Sequence, residues 1–201
     1  MRFDPTTVSP SSAYYWLIAS IVPRPIAWVS TLNGDGSANL APFSFFTGIT
    51  SAPLTCLICV GRHNDGRKKD TWVNIERTRE HVIHVVSDAL AQPMNATSRA
   101  FPYGVDEFAA AGVTKAPSEK VAPPRIAEAP IAMECRLDRI VEVGAPGDET
   151  AVIIGQVLLW HVRDEVLENG RIDMGRLDAI GRMAGAGYVR TRDRFDMVRP
   201  K

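Results

Sequence analysis

Three consecutive basic side chains lie directly before a segment that can begin a helix, a pattern typical of an anion site. Arg67, Lys68 and Lys69 precede Asp70 and Thr71, either of which can cap a helix that runs to about residue 78. The first turn of a helix has free N–H groups and the positive end of the helix dipole, and both attract phosphate. The residues therefore predict a phosphate site, although a solvated surface loop can have the same composition.

A second group of polar side chains belongs to a predicted β-hairpin. Residues 26–31 are rich in strand-forming types, residues 33–36 (NGDG) favour a tight turn, and residues 37–40 can return antiparallel. We expect Ala41-Pro42 to end the pairing, because proline has no N–H to donate. Ser44 follows, close to aromatic residues. Hydroxyls, amides and free backbone N–H groups at this end of the hairpin suit a polar, planar ligand better than a hydrophobic core.

Arg24 is a further candidate for binding an anion. It stands between Pro23 and Pro25, which restrict the backbone on both sides. A guanidinium held in a stiff segment is a good partner for an anion. A surface carboxylate is an equally suitable partner, so the sequence leaves the partner of Arg24 open.

The sequence lacks the motifs of several common catalytic and cofactor sites. There is no Gly-x-Gly-x-x-Gly after a strand, no P-loop, no nucleophile elbow and no His-Glu-x-x-His. Cys56 and Cys59 lie three apart in a strand-like run, where they face opposite sides, so we expect buried free thiols. The four histidines have no metal-type spacing. We therefore predict no metal site and no catalytic side chain.

The elements that must position these groups are mostly short strands. Apolar runs predict strands at residues 46–50, 54–60, 81–87, 131–143 and 151–162, of which the last two form the clearest hairpin. Helices are predicted at residues 11–21, 70–78, 89–100 and 107–111, with Ser11 or Ser12 capping the first. About six antiparallel strands with several short helices predict a mainly β fold, a small barrel, rather than a doubly wound sheet. We expect one domain over residues 1–201.

Composition and charge exclude several classes of partner. The chain has 23 Lys+Arg and 23 Asp+Glu, so its formal net charge is zero, whereas a nucleic-acid-binding surface needs a basic surplus. No apolar run reaches the length of a membrane span, and the N-terminus lacks the apolar core of a signal peptide. We therefore expect a cytoplasmic protein that binds neither nucleic acid nor membranes.

A series of short motifs runs along nearly the whole chain. The motifs are RPIAWVST at residues 24–31, NLAPFSFF at 39–46, KDT at 69–71 with NI at 74–75, MNATS at 94–98, DEF at 106–108 with AG at 111–112, EC at 134–135, and Arg182 with GAGY at 185–188. No single motif is decisive, but the ordered series resembles the flavin reductase-like family of FMN-binding split-barrel proteins. The similarity is closest to the group of flavoredoxin and the reductase components of two-component monooxygenases.

The resemblance implies a Greek-key split barrel that binds FMN without a covalent link and forms a homodimer, with the flavin near the subunit interface. The residues that the motifs carry over as flavin contacts are Arg24, Ser30, Thr31, Asn39, Ala41, Ser44, Phe45, Lys69, Asp70, Thr71 and Asn95. Lys69, Asp70 and Thr71 would lie at the phosphate end, and Tyr188 is a further candidate. Long apolar runs at residues 54–60 and 152–160 also favour a dimer, because they exceed what one small barrel readily covers.

The implied reaction is hydride transfer from NADH or NADPH to FMN, after which electrons pass on or the reduced flavin leaves. A flavin-dependent monooxygenase is then a candidate partner. Three alternatives stay open from the sequence. They are a non-catalytic flavin-binding electron carrier or store, a flavoenzyme that reduces an organic substrate, and a plain β-barrel interaction module.

Overall fold

The computed structural model describes residues 2–200, which are mainly β-structure. The helices are α1 (Pro10–Ser20), α2 (Asp70–Thr78), α3 (Ala91–Ala96), α4 (Glu107–Ala111) and α5 (Met174–Leu177). The strands are β1 (Ala27–Leu32), β2 (Ala38–Phe43), β3 (Phe46–Ser51), β4 (Leu54–Val60), β5 (Glu80–Val85), β6 (Lys115–Ala116), β7 (Arg125–Ile126), β8 (Ile131–Val143), β9 (Thr150–Val162), β10 (Leu167–Glu168), β11 (Arg171–Ile172), β12 (Ile180–Arg182) and β13 (Tyr188–Arg190). None of the helices described is long and apolar enough to cross a membrane.

Seven of these strands form one antiparallel sheet in the order β2-β1-β5-β8-β9-β4-β3. β2 and β3 are therefore opposite edges of the sheet, yet only Ser44 and Phe45 separate them along the chain. Because the Cα atoms of Phe43 and Phe46 can be at most about 11 Å apart, the sheet must curl until its edges approach each other. This is the small antiparallel barrel that the sequence predicts, with seven strands in the sheet rather than about six.

Two apolar cores hold the helices against the barrel. The first contains Val29 and Ile58 of the sheet together with Trp72 of α2. The second contains Trp28 of β1 and Phe108 of α4. Neighbouring residues of β1 thus point into different cores, as expected for a strand covered on both faces. The two cores fix α2 and α4 against the hairpin of β1 and β2.

β2 continues through Ala41 and Pro42, so the prediction that this pair ends the pairing is wrong. Pro42 lies opposite Trp28 in the register with β1, and the strand runs on to Phe43. Because β2 is an edge strand, the nitrogen of Pro42 can face away from the ladder without the loss of a hydrogen bond. The last residues of β2 therefore stay extended and form one side of the cavity described below.

α1 begins one residue earlier than predicted, and its cap is also different. The Ser9 hydroxyl, rather than that of Ser11 or Ser12, caps the helix by accepting the Ser12 N–H at 3.2 Å. Pro10 is the first helical residue, a position where proline is favoured because the N–H is free in any case. No residue of α1 is buried in the chain, although the helix is rich in aromatic and aliphatic side chains.

α3 ends at Ala96, whereas the predicted helix continues to residue 100. The Thr97 hydroxyl donates to Met94 O at 2.8 Å, and the Ser98 hydroxyl donates to Asn95 O at 2.7 Å. Side chains that bond to nearby backbone carbonyls in this way compete with the helical pattern and are common where a helix ends. The chain then leaves α3 as an irregular loop that leads to α4 and forms a second side of the cavity.

Candidate functional site

A cavity of about 460 Å³ lies beside β2, α2 and α4. It brings together five of the predicted site residues, namely Asn39, Ala41, Lys69, Asp70 and Thr71. The remaining wall comes from the loop before α2, the loop between α3 and α4, and the first residue of α4. Residues from the hairpin and from the basic loop, which are about 30 positions apart in sequence, therefore meet at one place.

A buried polar network fixes the start of α2 against the hairpin. The Asn39 amide donates to Thr31 Oγ1 at 3.2 Å and to Thr71 Oγ1 at 3.0 Å. The Asn74 amide donates to the same Thr31 oxygen at 3.0 Å and to Asn33 Oδ1 at 2.8 Å. Buried polar groups that are bonded to one another hold a single arrangement, because breaking any one bond leaves an unpaired group behind. The network therefore determines where Thr71 and the first turn of α2 lie.

The N-terminus of α2 has the features of an anion site. Lys69 is the N-cap residue, and its side chain makes no capping hydrogen bond, so the N–H groups of the first turn have no side-chain acceptor. The Lys69 ammonium is half-buried and has no ion pair or hydrogen bond within residues 2–200, and burial lowers its pKa. A half-buried cation without a counter-ion, at the positive end of a helix, is electrostatically suited to bind an anion.

Lys68, the neighbour of Lys69, faces away from this cavity. Its ammonium lies 2.6 Å from Glu76 Oε1 and 3.3 Å from Glu142 Oε1, and it lies over the Trp72 ring. Of the three consecutive basic residues, only Arg67 and Lys69 line the cavity. Arg67 is paired with the exposed Asp65 at 2.8 Å. Lys69 is therefore the member of the predicted basic group whose charge is free to meet a ligand.

Arg24 lies inside the protein rather than on the wall of the cavity. Its guanidinium donates to the carbonyls of Ile18 at 2.6 Å, Ile21 at 2.7 Å and Met183 at 3.0 Å, and to Ser44 Oγ at 3.4 Å. The side chain thus connects the end of α1 to the segment after β12 and to the link between β2 and β3. The guanidinium therefore bonds to protein groups in this structure, and a role of Arg24 as a flavin contact stays a prediction.

Three other predicted contacts are also absent from the wall of the cavity. The Ser30 hydroxyl is buried and donates to Pro124 O at 2.6 Å, and the Thr31 hydroxyl belongs to the buried network. The Phe45 ring is partly buried, with the Arg24 guanidinium carbon 5.8 Å from its centroid. Ser30, Thr31 and Phe45 therefore support the hairpin and its neighbours, and a role as flavin contacts stays a prediction for them.

A smaller cavity of about 140 Å³ adjoins the first one and shares Pro42, Phe43 and Ser98 with it. Two further predicted residues, Ser44 and Asn95, line this smaller cavity together with Tyr188. The Tyr188 hydroxyl donates to Asn95 Oδ1 at 3.3 Å. The predicted residues that line a cavity thus form two adjacent groups, one around Lys69 and the other around Asn95.

Several residues of the cavity wall are not among the predicted site residues. Arg99 and Phe101 lie on the loop between α3 and α4, and Glu107 is the first residue of α4. Glu107 is only 7% exposed, and burial together with the nearby Asp70 and Asp106 raises its pKa to about 7. An acidic residue in the first turn of a helix is usually explained by the helix dipole, so no local signal places this one in a ligand site.

The arrangement suits a polar ligand that carries an anionic group. The larger cavity has an unpaired ammonium and uncapped helix N–H groups on one side, and it shares Pro42, Phe43 and Ser98 with the smaller cavity. The residues around these cavities can bind an anion and hydrogen-bond to hydroxyls. Residues 2–200 contain no group of three or more His, Cys, Asp or Glu side chains that could hold a metal ion.

Solved structures with the same fold are known. Nitrilotriacetate monooxygenase component B from Bacillus cereus superposes with a TM-score of 0.94, 31% identity and 98% coverage of both chains. The 2-nitrobenzoate 2-nitroreductase of Pseudomonas fluorescens has a TM-score of 0.89 and 29% identity over 100% of this chain and 96% of its own. A Shewanella frigidimarina protein with a split barrel domain has a TM-score of 0.84 and 18% identity, with 100% coverage of both chains, which supports the fold alone.

The family model for the flavin reductase like domain matches residues 19–182, which include the hairpin, the basic loop and the cavity between them. The predicted split-barrel fold and the predicted family are both confirmed by these comparisons. The chain therefore belongs to the flavin reductase-like family of split-barrel flavin oxidoreductases.

Proposed function

We propose that this chain, folded as a single domain, binds FMN and uses NADH or NADPH to reduce it. The observation that carries the proposal is the Lys69 ammonium, which lies half-buried and unpaired at the uncapped N-terminus of α2. FMN has a phosphate, and the cavity offers an anion site for it at the start of α2. Lys69 and the first-turn N–H groups of α2 would hold the phosphate, and the Asn39 and Thr71 network would keep this turn in place.

FMN, when bound, accepts a hydride from reduced nicotinamide and passes the electrons on, so the protein contributes binding and orientation. The chain lacks a Rossmann glycine motif, and nicotinamide would therefore dock transiently against the flavin rather than in a domain of its own. The side chains of Asn95 and Tyr188 are hydrogen-bonded to each other beside the smaller cavity. We assign these two polar side chains to the part of the flavin site that the smaller cavity forms.

We expect the purified protein to carry FMN or to bind added FMN with a visible spectral change. NADH or NADPH should then bleach the flavin absorbance near its oxidised maximum. The cofactor is identified by heating the protein and separating the released flavin by chromatography. FAD as the main species would contradict the choice of FMN, and a protein that binds no flavin would contradict the proposal as a whole.

The fate of the reduced flavin separates two versions of this function. The Bacillus cereus neighbour is a monooxygenase component, which favours delivery of reduced flavin to a flavin-dependent monooxygenase. The Pseudomonas fluorescens neighbour is a nitroreductase, which favours reduction of an organic substrate on bound flavin. Gel filtration under anaerobic conditions after reduction distinguishes them. Flavin that leaves the protein supports delivery, whereas retained flavin that is reoxidised by 2-nitrobenzoate supports the second candidate.

A homodimer is the assembly that the exposed surface favours. Tyr14, Tyr15, Trp16 and Leu17 of α1 are each between 46% and 57% exposed, and because successive helical residues point about 100° apart, these apolar side chains are spread around the short helix. The apolar run of β4, in contrast, is largely buried within its own barrel and is not free for a partner. Stable interfaces of obligate dimers commonly bury about 2,000 Å² or more, and α1 offers apolar side chains for one.

We expect light scattering to give the mass of a dimer at micromolar concentration, and Leu17→Glu to shift it toward the monomer. A charge placed in an apolar interface must lose its hydration, which is costly without a partner. Ser11→Glu, at an exposed polar position of the same helix, serves as the matched control and should leave the mass unchanged. A monomer mass for the unmodified protein would rule out the dimer.

A further inference from the structure

Glu107 is a buried acid that lies in the wall of the larger cavity, the one of about 460 Å³ beside α2. Asp106 caps α4 through its side chain, and Phe108, the residue after Glu107, is anchored in the second core. These two neighbours hold the first turn of α4 in place and direct Glu107 toward β2. The carboxyl is thus fixed by the backbone of α4 rather than by a flexible surface loop, and only 7% of the residue is exposed.

Only one of the two carboxyl oxygens of Glu107 has a partner. Oε2 accepts the N–H of Leu40 in β2. Oε1 has no hydrogen bond to any of the residues that the structure describes, and the residue lines the cavity. Among the described residues, the buried side-chain atoms without a partner are Thr55 Oγ1, Asn74 Oδ1 and His81 Nδ1, so Glu107 Oε1 is instead open to the cavity. An acceptor oxygen that faces the cavity and has no protein partner can interact with a ligand there.

Burial and two neighbouring carboxylates disfavour the ionised form of Glu107. Asp70 of α2 faces the same cavity, and Asp106 lies beside Glu107 in α4, where it is paired with Lys115 at 2.6 Å. No cation within residues 2–200 forms an ion pair with Glu107. Burial and the two carboxylates raise the pKa of Glu107 to about 7, and burial also raises the pKa of Asp70. The remaining charged or titratable groups of the wall are Arg62, His63, Asp65, Arg67, Lys69 and Arg99.

We propose that Glu107 takes up a proton when FMN binds and thereby acts as a specificity-determining residue that links recognition of the phosphate to pH. The inference rests on the proposed function, because it requires FMN in this cavity. A phosphate monoester carries a charge of about −1.5 to −2 at neutral pH. Such a charge in the cavity that Glu107 lines further disfavours ionisation of the Glu107 carboxyl, since a like charge nearby favours the protonated form of an acid.

The sign of the effect follows from proton linkage. Because the bound state holds one more proton than the free state, FMN affinity is highest where Glu107 is already protonated and falls as the pH rises above about 7. The fall approaches about tenfold per pH unit while Glu107 is ionised in the free protein and protonated in the complex. Riboflavin has no phosphate, so its affinity should depend on pH much less.

The test is a fluorescence titration of apo protein with FMN and with riboflavin between about pH 6.5 and 8.5, for the unmodified chain and for Glu107→Gln. Glutamine is neutral at every pH, and its carbonyl oxygen can still accept the Leu40 N–H. The variant should bind FMN nearly as well as the unmodified chain at the lower pH and about tenfold more tightly at the higher pH. A role limited to structure predicts lost affinity at every pH instead, with no gain at high pH.

Glu119→Gln is the matched control, because it neutralises a carboxylate that is 67% exposed and lies outside the cavity wall, and this variant should keep the pH slope of the unmodified chain. Calorimetry of FMN binding to the unmodified protein in two buffers of different ionisation enthalpy gives the proton uptake directly, without any variant. We expect uptake of most of one proton at about pH 7.5. FMN binding without proton uptake, or with an equal slope in Glu107→Gln, would overturn this inference alone, whereas no FMN binding at any pH would overturn the proposed function as well.

Discussion

Replacement of Glu134 by alanine should lower the free energy of unfolding by about 3–5 kcal/mol, because it removes a buried charge whose partners stay behind. The Glu134 carboxylate in β8 is fully buried and accepts the backbone N–H groups of Glu119 at 2.9 Å, Lys120 at 2.5 Å and Val121 at 3.2 Å. His161 Nε2 of β9 lies 2.6 Å from the same carboxylate. Without the Glu134 carboxylate, three N–H groups and an imidazole lose their common acceptor. Urea denaturation measures the resulting decrease in the free energy of unfolding.

Glu119→Ala is the matched control for this experiment. The Glu119 side chain is 67% exposed and lies 3.9 Å from the His161 ring, while its backbone N–H, the group that bonds to Glu134, is unchanged by the substitution. We expect a change within about 0.5 kcal/mol, as for most surface positions. A Glu134→Ala variant as stable as Glu119→Ala would show that the loop before β8 does not depend on this carboxylate.

The strands were the part of the fold that the sequence predicted well, because strand formation depends on patterns within a few residues. The hairpin predicted at residues 131–143 and 151–162 agrees with β8 and β9 to within one residue. The apolar run at residues 54–60 has the bounds of β4. In both cases the signal is a long series of β-branched and apolar residues ended by turn-forming residues.

The position of a strand within the sheet could not be predicted in the same way. Pro42 would end an inner strand, but β2 is an edge strand, and its place there depends on the pairing of β1 with β5. That pairing joins segments about 50 residues apart in the chain. Proline does end the pairing of an inner strand, but the local sequence does not show which side of a strand faces a neighbour.

The candidate site shows the same division between local and distant information. Ser30 and Thr31 are adjacent in β1, so their side chains point to opposite faces of the sheet. The motif resemblance identifies both positions, but it does not show whether their side chains contact a ligand or support the fold. In the structure their hydroxyls bond to Pro124 O on one side and to Asn39 and Asn74 on the other.

Glu107 shows why part of the cavity wall was missed. The groups that make it unusual are the N–H of Leu40, which is 67 residues away in the chain, and the carboxylate of Asp70. Neither neighbour can be read from the residues around position 107. Lys69 was found because its signal is local, namely a basic residue directly before a helix, and only its freedom from ion pairs needed the structure.

Lys69→Ala should raise the dissociation constant for FMN about tenfold to a hundredfold and leave the riboflavin constant nearly unchanged. A charge-assisted hydrogen bond to an anion contributes about 1.5–3 kcal/mol, which corresponds to that range of affinities. The half-buried Lys69 ammonium has no protein partner within residues 2–200, so the substitution removes a charge without leaving an unpaired carboxylate behind. Riboflavin lacks the phosphate and should not respond to the loss. Fluorescence titration of apo protein gives both constants.

Lys68→Ala provides the control, because the same charge is removed one position earlier in the chain. The Lys68 ammonium is engaged by Glu76 and Glu142 on another side of α2, so this variant should bind both ligands like the unmodified protein. If Lys69→Ala weakens FMN and riboflavin equally, the loop supports the fold and not the phosphate. If it weakens neither, Lys69 is a solvated charge. Both variants lower the net charge equally, so a difference between them reflects the position of the lysine. Only a loss of FMN affinity, without a loss of riboflavin affinity, in Lys69→Ala but not in Lys68→Ala agrees with an anion site at the start of α2.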